Sequence, residues 1–195
     1  MAYNNQEIEL KLSISRSEYK RIEKELYKVA KFLRFSHQVD DYFTPTQNSF
    51  LDEKYPFQWL STRKRDQKIY LNYKHWHPEG RKYTTHCDEY EVEVSDENQI
   101  KNILIALKFQ KITTVEKKRS VFLYQKSLEI ALDQVKDLGF FVEVESVKNF
   151  GSVRKANKEI LKFTKSLGLR GTKPVPGGYA AESLKIGRAS CRERV

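Results

Sequence analysis

Near the N-terminus, in the stretch "QEIELKL", Glu7, Glu9 and Lys11 stand at alternate positions, separated by Ile8, Leu10 and Leu12. Alternation is the period of a β-strand, whose residues i, i+2 and i+4 share one face. One face of this strand is therefore apolar and the other fully charged. The pattern recurs: Glu89, Glu91 and Glu93 alternate with Tyr90, Val92 and Val94, and Glu143 and Glu145 alternate with Val142 and Val144. Arg63 shares a face with Arg65, Lys117 with Arg119, and Asp133 with Ala131 and Val135. Arginine and lysine match phosphate oxygens. Grouped carboxylates bind hard divalent cations such as Mg²⁺, which commonly bridge phosphates to protein. Together these residue types suit a metal-assisted polyphosphate site.

The elements that must position them follow from the same periodicities. Three amphipathic helices are expected. Ser15 to Leu33 opens on a capping box of Ser15 with Glu18, Asp96 to Leu107 places Ile100, Ile103, Leu104 and Leu107 on one side, and Ser152 to Leu167 stops at Gly168. About eight strands are expected: 6–14, 39–43, 59–65, 69–74, 87–94, 112–122, 129–135 and 141–146. Thr44 to Pro56 and the "HWHPEGRKYTTH" stretch from His75 to His86 read as loops. Simply solvated charged faces would give an open sheet with helices on one side. Closure into a barrel removes exposed edges, and amphipathic helices then need the outside of that barrel as their apolar partner. The fold class expected is thus α+β, a closed eight-stranded antiparallel β-barrel whose outer face is covered by about three helices. Its charges point inward, where ions must pair, stay wet or hold a charged ligand.

Composition agrees with a globular protein: 195 residues, 32% of them charged and 12% aromatic, with few glycines and prolines. The net charge of +10 predicts an anionic partner. No signal-peptide run or membrane-length segment is visible, so a cytoplasmic location without membrane association is expected. Cys87 and Cys191 lack disulfide or zinc spacing. The final ten residues, "IGRASCRERV", resemble the translation of a sequencing adapter. Ile186 to Val195 is accordingly expected to be an assembly artefact, leaving a single domain over 1–185, a net charge of +8 and Cys87 as the one native cysteine.

Taken in order, Glu7-x-Glu9-x-Lys11, Gln38-x-Asp40-x-Tyr42-Phe43, Arg63-x-Arg65, Tyr73-Lys74, Glu89-x-Glu91, "VEKKRSVF" with Lys117 and Arg119, and "LDQVKDLGFFVEVE" with Asp133, Glu143 and Glu145 resemble the CYTH superfamily, the triphosphate tunnel metalloenzymes. The Gln38 element and the Leu132-Asp133 segment are most similar to the CyaB-like class IV adenylyl cyclase branch. The resemblance spans about Gln6 to Leu184. It implies a tunnel in which Lys11, Arg63, Arg65, Lys74, Lys117 and Arg119 hold the triphosphate of ATP, Lys11 and Lys74 acting also as catalytic groups. Glu7, Glu9, Asp133, Glu143 and Glu145 would hold Mg²⁺ or Mn²⁺, with Gln38, Asp40, Tyr42, Glu89 and Glu91 as supporting lumen residues. ATP would be converted to cyclic AMP and pyrophosphate; a homodimer is compatible with the resemblance. Two positions depart from the family pattern. Cys87 stands where an arginine is expected, and His75-Trp76-His77-Pro78 follows Lys74 where Gly-Pro is common.

Two alternatives stay open on sequence. On the same fold, water could attack the terminal phosphate, giving a triphosphatase acting on thiamine triphosphate or inorganic tripolyphosphate. Outside enzymology, basic residues interleaved with Tyr70, Tyr73 and Trp76 could bind nucleic acid, although strand aromatics more often build a barrel wall, and a nucleic-acid partner is not expected. His75 and His77 read as exposed loop histidines rather than metal ligands, and Cys87 as a small packing residue. "GGYAAESL" around Tyr179 reads as the start of a final element.

Overall fold

The computed structural model describes residues 5–192, with side chains described through residue 185. The suspected artefact at 186–195 lies outside the described side chains. Element order is β1 (Gln6–Glu7), β2 (Glu9–Ile14), α1 (Arg16–Val29), β3 (Lys31–Pro45), β4 (Gln58–Arg65), β5 (Lys68–His77), β6 (His86–Val94), α2 (Glu97–Ala106), β7 (Phe109–Tyr124), β8 (Leu128–Val135), β9 (Gly139–Ser146), α3 (Val153–Ser166) and α4 (Gly178–Arg192).

All strands join one antiparallel sheet in the order β1-β6-β5-β4-β3-β7-β8-β9-β2. The two ends of that order are consecutive in sequence, so the sheet closes on itself into a barrel. The count is nine rather than eight because the N-terminal run breaks at Ile8. Glu7 pairs with Cys87 of β6, whereas Glu9 pairs with Glu145 of β9. The remaining edge of β2 is met by the C-terminal chain, where Leu12 bridges Pro174 and the Val175 N–H donates to Lys11 O at 3.0 Å. An otherwise free strand edge is thereby covered.

The apolar core lies outside the barrel wall. Ile22 and Leu26 of α1 and Ile160 and Phe163 of α3 pack on Leu12, Phe122, Ile130, Leu132, Val142 and Val144, all buried. Ile8 and Leu10, expected beneath the helices, are only half-buried; Leu12 and Ile14 take the deep positions on that face. The Ser15 capping box is present, with the Glu18 N–H donating to Ser15 Oγ at 3.2 Å and the Ser15 N–H to Glu18 at 2.8 Å. The helix ends at Val29, short of the expected Leu33. Residues 31–35 are needed to pair β7, whose 16 residues require a partner of 15.

Two further differences concern the helices. On α2 only Leu104 is buried, and Ile103 and Leu107, expected on the packed side, are exposed. That helix is tied to the wall by Lys101, whose ammonium lies 2.6 Å from Asp41 on the outer side of β3. A fourth helix, α4, packs against β7, its first turn burying Tyr179 and Ala180. The stretch expected as a loop from His75 is in part strand. His75 and His77 close β5, and their rings stack at 4.8 Å, with His86 following at 4.9 Å.

Candidate active site in the barrel lumen

Strand alternation sends the charged faces inward, and the antiparallel register then sets acids against bases. Lys11 faces Glu143, Arg119 faces Asp133, Arg63 faces Asp40, and Lys74 faces Glu89 across neighbouring strands. The side chains follow the register. Arg119 makes a two-pronged contact to Asp133 at 2.8 and 2.6 Å and reaches Glu143 at 3.1 Å. Arg63 bonds Asp40 at 3.0 Å and Glu91 at 2.9 Å. Lys11 lies 3.2 Å from Glu9 and 2.9 Å from Glu143. Lys74 contacts Glu7, with Glu89 at 3.5 Å and Glu9 at 3.8 Å.

A cavity of about 150 Å³ runs through this network, lined by Glu7, Lys11, Tyr42, Arg63, Arg65, Lys74, Glu89, Glu91, Lys117, Arg119, Glu143 and Glu145 among the expected residues. Gln38, Asp40 and Asp133 do not line it. They are buried behind it, Asp40 holding Arg63 and, at 3.4 Å, Lys117, and Asp133 holding Arg119. Glu9 is likewise absent from the cavity wall, being folded onto Lys11.

Several lining residues escape the sequence patterns, among them Arg34 and Glu129, paired at 3.4 Å, and Tyr179, Trp59 and Asn72. Tyr179, from the start of α4, donates its hydroxyl to Asp133 at 2.6 Å, and the ammoniums of Lys11 and Lys117 lie 4.5 and 5.2 Å from its ring centre. With Val115, Val135 and Phe141 it fills the lumen apolarly at one end. Nothing local marks this tyrosine, which arrives from beyond the last strand. Trp59 and Asn72 share the inward parity of Arg63 and Lys74, a signal that could have found them. Asn72 donates to Glu89 at 2.6 Å, whereas the buried Trp59 indole N–H has no partner. The turn into α4 depends on Gly177, whose φ is +76° and where an added Cβ would come 2.8 Å from Ala181.

Crowding divides the carboxylates. Burial pushes Glu7 up to about 8, with Glu9, Glu89 and Glu143 adding to the shift and Lys74 opposing it. Burial together with Glu7, Glu9 and Glu143 pushes Glu145 up to about 9. Glu143, although buried, is held well below the usual carboxylate range by Arg119 and Lys11. Lys74 is raised despite its burial, because Glu7, Glu89 and Glu9 surround it. Burial brings Lys117 down to about 8, helped by Arg119 and Arg63 and opposed by Asp40. Cys87, at the position of an expected arginine, is a buried thiol raised by burial, and its Sγ–H donates to Glu7 at 3.1 Å.

The donor set fits a hard divalent cation. Glu7, Glu9 and Glu145 would offer it crowded oxygen donors, and one buried oxygen of Glu9, Oε2, accepts no hydrogen bond. Among the described residues no three His, Cys, Asp or Glu side chains already converge on one point. The carboxylates are instead turned onto Lys11 and Lys74.

Comparison with known proteins agrees with this geometry. A protein of Methanocaldococcus jannaschii named "Putative adenylate cyclase MJ0240" is 24% identical over 164 residues, covering 83% of this chain and 90% of that one. Among solved structures, the PH1012 protein of Pyrococcus horikoshii superposes with a TM-score of 0.73 at 24% identity, over 90% of this chain and 98% of that one. The HpAC1 protein of Hippeastrum, described as revealing a dominant triphosphatase activity, gives a TM-score of 0.64 at 18% identity, over 93% and 95%. These likenesses show the fold. The model of the CYTH domain matches residues 5–179, and the chain therefore belongs to the CYTH domain family.

Proposed function

We propose that this protein is an enzyme that processes a triphosphate inside the barrel, with Mg²⁺ or Mn²⁺ as cofactor. The observation that carries the reading is the inward convergence of Lys11, Arg63, Arg65, Lys74, Lys117 and Arg119 on one cavity that six carboxylates also line. In this reading the six bases neutralise the phosphate chain, with Lys11 and Lys74 nearest the reacting phosphorus. Glu7, Glu9 and Glu145 hold the cation, and Glu143 joins them when Lys11 turns to phosphate. Asp133, counted among the ligands on sequence, here positions Arg119, as Asp40 positions Arg63. A bound divalent cation supplies positive charge to phosphate oxygens and lowers the pKa of a coordinated hydroxyl or water. The contribution of the chain is positioning and preorganised charge, already held in place by the acid–base register.

The finer reading is a class IV-like adenylyl cyclase. The ribose 3′-hydroxyl of ATP attacks the α-phosphate, the bond from that phosphorus to the bridging oxygen breaks, and pyrophosphate leaves. The Gln38–Phe43 element and the name of the archaeal relative support it. A second reading, hydrolysis at the terminal phosphate, is favoured by the apolar plug around Tyr179, which would close one end of the cavity so that a phosphate chain enters end-on from the other. The single domain over 1–185 is part of the proposal, supported by the family match over 5–179. No helix among the described residues is long and apolar enough to cross a membrane.

Phosphorus NMR of the protein with ATP and Mg²⁺ or Mn²⁺, followed by tripolyphosphate, tests these readings. Cyclic AMP with pyrophosphate establishes the cyclase, and orthophosphate without cyclic product establishes the triphosphatase. No turnover of either compound with either metal would overturn the enzymatic reading.

A further inference from the structure

The positive charge that distinguishes this chain does not reside in its lumen. There, seven bases, Arg34 included, face nine carboxylates once Asp40 and Asp133 are counted with Glu7, Glu9, Glu89, Glu91, Glu129, Glu143 and Glu145. The surplus is concentrated elsewhere. Residues 148–173 hold eight basic side chains and one acid, Glu159, which accounts for seven of the net +10.

Much of that charge borders a groove of about 1410 Å³ between α3, Leu10, Thr85 and Arg170, outside the barrel wall. Arg154, Lys155, Lys158, Lys162, Lys165 and Arg170 line it, all exposed, and no carboxylate does. Among the described residues none of these six makes an ion pair, in contrast to the densely paired bases of the lumen. Arg154, Lys158 and Lys162 follow one another at i, i+4 spacing, a like-charge arrangement that costs a helix stability. The Asn157 side chain, donating to Thr85 O at 3.2 Å, fixes this face of α3 to the loop between β5 and β6, so the groove has a defined wall.

We propose that this groove binds a linear condensed-phosphate chain at a site separate from the lumen. The shape is concave, which a flat bilayer cannot follow. No aromatic side chain lines the groove, so nucleobases find no stacking platform. Five cations from Arg154 to Lys165 occupy roughly 17 Å of helix, about one per 4 Å. An extended acidic peptide offers one side chain per roughly 6.6 Å on a given face, too sparse to match. A chain with a charge on every repeat unit matches it, and lysine, the commoner base here, serves as a point charge that needs no fixed partner geometry.

The test is binding of long-chain inorganic polyphosphate to the full chain, measured by calorimetry across a salt series. It compares wild type, Lys158→Gln with Lys162→Gln and Lys165→Gln, and separately Lys11→Ala. Glutamine matches lysine in helix propensity and these positions are exposed, and thermal unfolding verifies that the triple variant stays folded. If it did not, Arg154→Gln with Arg170→Gln replaces it. The triple variant is expected to bind on the order of tenfold more weakly or worse, and to lower the slope of log K against log salt by about 2. Lys11→Ala is expected to bind the long chain as wild type does while losing tripolyphosphate. Unchanged affinity in the groove variants overturns the proposal, as does loss of long-chain binding in Lys11→Ala alone. Tighter binding of duplex DNA, RNA or anionic vesicles than of polyphosphate at equal phosphate would also overturn it.

Discussion

The Tyr179 hydroxyl donates to Asp133 at 2.6 Å, and the same carboxylate holds Arg119 by two hydrogen bonds. A helix beyond the last strand thus helps to aim a base of the lumen. Tyr179→Phe removes one donor from a fully buried carboxylate, a loss of about 1–3 kcal/mol in stability. Arg119 keeps its charge but loses part of its anchorage. Under the proposed function, turnover falls while the fold persists, and denaturant unfolding beside steady-state kinetics checks both halves. Wild-type stability in this variant would show that the contact contributes nothing.

Lys11→Ala and Glu9→Ala are each expected to abolish triphosphate turnover and leave the far-ultraviolet circular dichroism intact, because both lie on the inward face of β2, away from the core beneath α1 and α3. By contrast, Leu12→Asp on the opposite face of the same strand places a charge beneath α3 and is expected to prevent folding. Retained activity in both lumen variants would sink the inward assignment.

The raised carboxyls predict a pH dependence of the metal-free protein. Glu7 and Glu145 hold their protons more tightly when folded than when unfolded, up to about 8 and about 9. Between the ordinary carboxylate range near 4.5 and pH 8 the folded state therefore binds more protons, and their contribution to stability is lost as pH rises through that window. Lys117, lowered to about 8, works in the opposite direction above that value. Melting temperatures without metal should fall from pH 5 to pH 8, and Mn²⁺ should flatten the fall by replacing the protons. In Glu7→Gln with Glu145→Gln both the slope and the metal effect should shrink; a metal effect of full size in that variant would remove these two carboxylates from the site.

Trp59→Phe probes the unpartnered indole N–H. Because that donor satisfies nothing in the free protein, stability should stay within about 1 kcal/mol of wild type. If the N–H meets a phosphate oxygen, KM for the triphosphate rises severalfold. An unchanged KM would mean that the indole serves only as wall.

A substitution at Gly177 separates plug from barrel. With φ at +76° and the Cβ of Ala181 in the way, Gly177→Ala must displace the start of α4 and with it Tyr179. Limited proteolysis should then cut near the turn, with β-sheet content unchanged by circular dichroism. An uncut, fully active variant would show that α4 tolerates the shift.

Much of the lumen was legible before any fold was known, because a strand's side-chain period of two is written directly into sequence. Glu7, Glu9 and Lys11, Glu143 and Glu145, and Arg63 and Arg65 each declare a shared face, and three amphipathic helices declare that something apolar must lie beneath them. The sequence by itself therefore determined the strand faces, the capping box at Ser15 and the class of barrel. Cross-strand register, by contrast, depends on which strands become neighbours, and that alone decided that Asp133 and Asp40 stand behind Arg119 and Arg63 rather than in the cavity. It also split the N-terminal strand at Ile8, since one run had to pair with β6 on one side and β9 on the other. The plug at Tyr179 and the surplus of carboxylates that raises Glu7 and Glu145 likewise arise only from tertiary structure. The Tyr179–Asp133 contact joins residues 46 positions apart, and the convergence of Glu7 and Glu9 on Glu143 and Glu145 joins strands from opposite ends of the chain, so a periodicity within one strand carries no information about either.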